Sequence, residues 1–130
     1  MNIEHIALNV ADPVAMADWY TRHLGMRVAR AIPSATNTHF LADESGRVVV
    51  EIYHHTKAPV PDYRSMDPLM LHIAFVADDM KTIRDRLLKA GATGGEEIAV
   101  TPAGDELAML RDPWGVAIQL VKRARPLVER

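Results

Sequence analysis

The chain of 130 residues has no cysteine, which excludes disulfides, thiolate metal ligands and cysteine nucleophiles. Aromatic residues are scarce at 5%, and that counts against a cleft built to hold a planar ligand by stacking. No apolar run approaches the ~20 residues of a membrane-spanning helix, and the N-terminus lacks the charged-then-apolar pattern of a secretory leader. A cytoplasmic protein without membrane partners is therefore expected. The net charge is only −2, and the basic cluster Lys122-Arg123-Ala124-Arg125 reads as a solvated tail, so nucleic acid is not an expected partner either. A glycine-rich phosphate loop and a serine nucleophile elbow are both missing.

What is present is an ordinary globular composition, 48% hydrophobic and 25% charged, in a length that suits one domain with a real core. Its organising feature is a phrase said twice. HIALNVAD begins at His5 and HIAFVADD at His72. Each is followed by a helical stretch, a glycine and several short strand-like runs. The last run of each half carries an acid or its amide, Glu51 in the first and Gln119 in the second. His72 follows His5 by 67 residues and Gln119 follows Glu51 by 68. A repeat that returns both a histidine and a Glu/Gln at almost constant offset is a duplicated site as well as a duplicated scaffold.

Taken in order, residues 3–10 alternate as a strand, with His5, Ala7 and Asn9 on one face. Asp12-Pro13 starts a helix whose apolar stripe is Met16, Tyr20 and Leu24, closed by Gly25. Strands follow over Met26–Ile32, Thr38–Ala42 and Arg47–Tyr53, the last two as a hairpin in which Glu51 and Tyr53 share a face. Pro59, Pro61 and Pro68 mark a linker. In the second half, Leu69–Ala77 reads as a strand and Asp78 or Asp79 as a helix cap. Met80, Ile83, Leu87 and Leu88 form the next apolar stripe, with Gly91 as the stop. Glu96–Val100 reads as a strand, and Glu106–Arg111 with Val116–Val121 as a hairpin around Asp112-Pro113-Trp114-Gly115. The expected architecture is α+β, two βαβββ modules forming a cupped mixed sheet: module one 1–55, linker 56–68, module two 69–123 and a tail 124–130.

In this pattern His5, Glu51, His72 and Gln119 are the candidate metal ligands. Imidazole and carboxylate suit a borderline divalent ion, Ni, Zn, Co, Mn or Fe, and two histidines with one carboxylate leave positions open for substrate oxygens. Glu51 lies between Val50 and Ile52 in an apolar strand, where an acid needs a partner; it is the candidate general base. Asn9, Tyr53 and His39 are candidate substrate-binding residues. In such a site a metal chelates substrate oxygens and an enediolate formed by proton loss is stabilised.

The phrases IEHIALNVADPVAMADWYTRHLGM, VVVEIYHH, LHIAFVADDM and LRDPWGVAIQLV resemble the vicinal-oxygen-chelate superfamily over about residues 3–122. That superfamily includes glyoxalase I, bleomycin-resistance proteins, methylmalonyl-CoA epimerase and extradiol dioxygenases. The likeness is greatest to small bacterial glyoxalase I enzymes. It implies a divalent-metal-dependent lyase or isomerase, ligands at His5, Glu51, His72 and Gln119, a small-molecule substrate and a homodimer. Gln119 stands where those enzymes carry Glu, and Asn9 where those that use glutathione carry Arg, which weighs against a strict lactoylglutathione lyase. The alternatives are an iron-dependent extradiol-type dioxygenase and a non-catalytic, bleomycin-resistance-like small-molecule binder.

Overall fold

A computed structural model describes residues 1–128; residues 129 and 130 of the expected tail lie outside the described residues. The chain divides into two compact units at Pro61/Asp62. Both are α+β, and each contains one mixed sheet and one helix of at least ten residues.

In the first unit the order is β1 (Ile6–Asn9), α1 (Pro13–His23), β2 (Arg27–Ile32), β3 (Thr38–Ala42) and β4 (Val49–Tyr53). The strands lie side by side as β1-β4-β3-β2, with β1 parallel to β4 and the other pairs antiparallel. The helix starts where the sequence says it must. Asp12 caps it, its Oδ1 accepting from the Ala15 N–H at 3.0 Å, and Pro13 opens the first turn. Met16 and Tyr20, both 0% exposed, with Ala17 and Trp19, form its buried side. That side packs on β2, β3 and β4, where it meets the buried face of Leu41, Val50 and Ile52. Burying the large side chains on that face contributes roughly 1.5–3 kcal/mol each. Leu24 has become the helix C-cap and is half-buried.

The second unit runs β5 (Ile73–Val76), α2 (Met80–Lys89), β6 (Thr93–Gly94), β7 (Ala99–Val100), β8 (Glu106–Arg111) and β9 (Ala117–Lys122). Its sheet order is β5-β9-β8-β6, with β7 also pairing β8. The expected strand Glu96–Val100 is thus replaced by two short pieces on the same neighbour, because Gly94 and Gly95 take φ of 84° and 69° and break the run. The first strand is shorter than the sequence suggests. Leu69–His72 precede it as a turn in which the Met70 N–H donates to Asp67 O, while Leu69 and Met70 are exposed. Asp79, of the two candidate aspartates, is the helix cap, accepting from the Thr82 N–H at 3.0 Å. Met80 and Leu87 are buried, but Leu88 is 37% exposed, about 80° round the helix axis from Met80.

The segment Asp62–Met66, expected as linker, is fastened to the second unit. The Arg111 guanidinium donates to the carbonyls of Tyr63, Met66 and Gly115 at 2.8–3.0 Å. Arg64 donates in turn to Pro113 O at 2.8 Å. The turn that receives it is the Asp112–Gly115 motif. Asp112 is wholly buried and its Oδ1 accepts from the Trp114 and Val116 N–H groups at 2.9 Å.

Candidate metal and substrate site

The sheet of the first unit has a helix-covered face and an open one. Val50 and Ile52 point to the helix, so Glu51 between them stands on the open face and is only partly buried. Its register neighbours there are Ala7 on β1 and Phe40 on β3. His5, two residues before Ala7, reaches the same place: Nε2 lies 2.9 Å from Glu51 Oε2. The ring meets Phe40 edge-on, at a centroid distance of 5.7 Å. Its other nitrogen, Nδ1, is hydrogen-bonded to the Glu4 carboxylate. That bond holds the His5 pKa above the ordinary 6.5; desolvation opposes the rise, and the negative charges of Glu4 and Glu51 add to it.

This geometry has a chemical meaning. With Nδ1 donating to Glu4, the Nε2 lone pair and the Glu51 carboxylate face one another as two acceptors. Such a pair is settled by a proton held between them or by a cation that both can ligate. A carboxylate behind a ligand imidazole is also the arrangement that fixes its tautomer and strengthens it as a donor to metal.

The second unit repeats the pattern. Ala74 on β5 is the register partner of Gln119 on β9, as Ala7 is of Glu51, and Met109 stands opposite Gln119 as Phe40 does opposite Glu51. His72, two residues before Ala74, has its Nδ1 2.8 Å from the carbonyl of Pro68. In both units, then, the histidine is held through Nδ1 by an oxygen acceptor, which turns Nε2 away from that contact. In the first unit His5 and Glu51 are in contact; in the second, His72 precedes the register partner of Gln119 by two residues. Among the described residues no three or more His, Asp or Glu are gathered in a way that could hold a metal ion. The donor types of each pair, imidazole with a carboxylate or an amide oxygen, are those that suit a borderline divalent ion.

The three expected substrate residues separate. Tyr53 shares the open face with Glu51 and stands half-buried, its ring edge-on to His55 at 6.1 Å. Asn9 is on that face too, but its amide is engaged with the chain after β4. Nδ2 lies 3.1–3.2 Å from the carbonyls of His55, Ala58 and Pro59, and Oδ1 accepts from the His55 N–H at 2.7 Å. His39 is the register partner of Ile52 and therefore belongs to the opposite face from Glu51. Of the histidines after β4, His54 places Nδ1 2.9 Å from Val10 O. Glu4 and Phe40 were not singled out by the repeat. The alternation of the Thr38–Ala42 run, once its register against Glu51 is known, is the signal that finds Phe40.

The family model described as glyoxalase/bleomycin resistance protein/dioxygenase superfamily matches residues 2–120. The chain belongs to that superfamily. Its fold recurs in a glyoxalase family protein from Bacillus cereus (TM-score 0.79, 15% identity, 95% of this chain and 94% of that one covered). An antibiotic-binding protein from Streptomyces sp. CB03234 is similar at a TM-score of 0.70 and 22% identity, with 95% and 99% covered. Glyoxalase I from Zea mays, in an E144Q mutant, is similar at 0.75 and 22%, over 95% of this chain and 46% of that one. No match was found among curated proteins. Proteins of the superfamily bind small molecules, and it contains enzymes such as glyoxalase I. No helix among the described residues is long and apolar enough to cross a membrane.

Proposed function

We propose that this protein is a divalent-metal-dependent lyase or isomerase of the glyoxalase I-like type, acting in the cytoplasm on a small molecule that carries two neighbouring oxygens. The ligands are the pairs His5–Glu51 and His72–Gln119, brought together within one chain or across a homodimer. The observation that supports this reading is the shared register: in both units a histidine lies two residues before the register partner of a Glu or Gln, and in both its Nδ1 is engaged by an oxygen acceptor.

A bound divalent ion supplies Lewis acidity to the substrate's carbonyl oxygen. The chain's own residues do the remaining work. His5 and His72 enter as neutral donors with fixed tautomers, and Gln119 contributes an amide oxygen in place of a second charge. Glu51 is the base that takes the proton α to the carbonyl. General-base action of this kind is worth about 10²–10⁴-fold. Tyr53 lies on the face of Glu51 and can contact substrate through its hydroxyl, whereas Asn9 shapes the pocket wall by holding residues 55–59.

The deciding experiment is the metal content of protein purified without an affinity tag, beside His72→Ala. Near-stoichiometric Ni, Zn, Co, Mn or Fe that is lost in the variant is expected. Absence of metal, together with no rise in Tm on adding divalent ions, overturns the reading and leaves a small-molecule binder like the Streptomyces antibiotic-binding protein.

A further inference from the structure

The open face of the first unit carries a charge that the metal reading does not use. Strand β2 pairs with β3 out to Ile32, but its register slips between Val28 and Arg30. Val28 is opposite Leu41, on the helix-covered face. Without the slip Ala29 would be opposite Phe40, and Arg30 would follow it onto the face of His39. With Ala29 bulged out, Arg30 itself becomes the partner of Phe40. One extra residue in a strand re-aims every side chain after it. Arg30 therefore stands in one row with Phe40, Glu51 and Ala7, on the face where His5 meets Glu51. Its side chain is exposed and has no ion-pair or hydrogen-bond partner among the described residues.

From this row we infer that Arg30 sets substrate specificity: it takes a carboxylate or phosphate at the far end of a molecule whose oxygen-bearing head sits at His5–Glu51. Two strand spacings separate the backbones of Glu51 and Arg30, ~10 Å, and a flexible guanidinium shortens that reach as required. The ring of Phe40 lies between them as an apolar floor for the substrate's carbon chain. A free guanidinium matches a carboxylate or phosphate through paired N–H donors, which neither His5 nor Glu51 can offer. The substrate class is therefore an acid whose anionic group is three to five bonds from its chelating oxygens. The inference rests on the site proposed above, and the test separates the two.

Two probes of equal length isolate the far charge. 2-Oxoglutarate and 2-oxovalerate share a chelating head and differ in a terminal carboxylate against a methyl. Their affinities are measured by calorimetry with Mn²⁺ present, on the wild type and on Arg30→Gln and Arg30→Lys. Mn²⁺ is also titrated alone. The expected result is an approximately tenfold preference for 2-oxoglutarate in the wild type. Arg30→Gln abolishes it with 2-oxovalerate binding unchanged, and Arg30→Lys restores part of it. Equal preference in wild type and Arg30→Gln, or no binding of either acid to the wild type, overturns the role of Arg30. Normal Mn²⁺ binding with no preference leaves the metal site standing and removes this inference. A preference that survives without Mn²⁺ binding does the reverse.

Discussion

At the scale of single residues, position in the repeat and position in the hydrogen-bond network carry different information. Glu4 has a side chain 82% exposed, yet its carboxylate is the partner of His5 Nδ1. Removing a carboxylate behind a ligand imidazole costs 10–100-fold in metal affinity in general. Glu4→Gln is accordingly expected to weaken Mn²⁺ binding by about tenfold, with Tm of the metal-free protein unchanged; titration calorimetry at pH 8 checks it. An unchanged affinity would mean that His5 is oriented by Phe40 and Glu51 alone. Asn9 illustrates the reverse. The alternation of β1 correctly places it beside the site face, but no pattern in the sequence reveals that three carbonyls from 55–59 gather on its Nδ2. Asn9→Asp keeps the shape and replaces the donor by an acceptor facing carbonyls. It is expected to destabilise the protein by about 1–3 kcal/mol in urea unfolding, far more than a surface Asn on a loose loop would.

At the scale of elements, caps and stops were legible because their chemistry is local. Asp12-Pro13 and Asp79 are fixed by short side-chain-to-backbone bonds, and the Asp112–Gly115 turn by the buried Asp112 carboxylate. Register was not legible, since it depends on a neighbour. His39 lies on the hairpin arm facing Glu51, but the pairing His39↔Ile52 sends it to the other face, and a slip of one residue would have reversed that. The bulge at Ala29 escapes a reading of β2 for the same reason. The turn at Gly115 is a place where contact between elements can be tested. A Cβ built there meets backbone and Cβ atoms of Arg64 at 2.8 Å, and φ is +93°. Gly115→Ala must therefore displace the docked segment 62–66 and adopt a strained backbone, for a loss of about 2–4 kcal/mol. Protease nicking near Asp62 should rise with it. At the end of the same hairpin, Asp105 accepts from the Ala124 N–H at 2.9 Å and from Arg123 at 2.7 Å. These bonds hold its pKa below the ordinary 3.8. A depressed pKa stabilises the folded state above the unfolded value and loses that contribution as pH falls through the folded one. The Ala124 amide resonance is thus expected to titrate with a midpoint under 3.8; a midpoint above it would show that the Asp105 contact does not form.

At the scale of the whole molecule, the duplicated phrase carried most of the fold. It implied two modules of one pattern, and the structure has two units whose Ala7↔Glu51 and Ala74↔Gln119 pairings coincide. What it did not imply is that each unit ends in an open strand. β1 and β5 each occupy an outer position in their sheets, with a strand partner on one side only among the described residues. Ile6 on the first and Val76 on the second are 56% and 59% exposed. Unpaired edges bearing β-branched apolar residues invite association, and monomeric proteins usually blunt them with charge or proline. Neither device occurs within β1 or β5. The occupant expected is a second copy of this chain, whose edges have the same character. Sedimentation equilibrium is then expected to give twice the chain mass of 14.4 kDa. Ile6→Lys, which charges an edge on the face away from Glu51, should shift the mass toward one chain. If only the mass falls, the metal site is complete within one chain. If Mn²⁺ affinity falls with it, the partner copy supplies part of the ligand set. A wild-type protein that sediments as a single chain at micromolar concentration would remove the homodimer, and with it the second of these routes to a complete site.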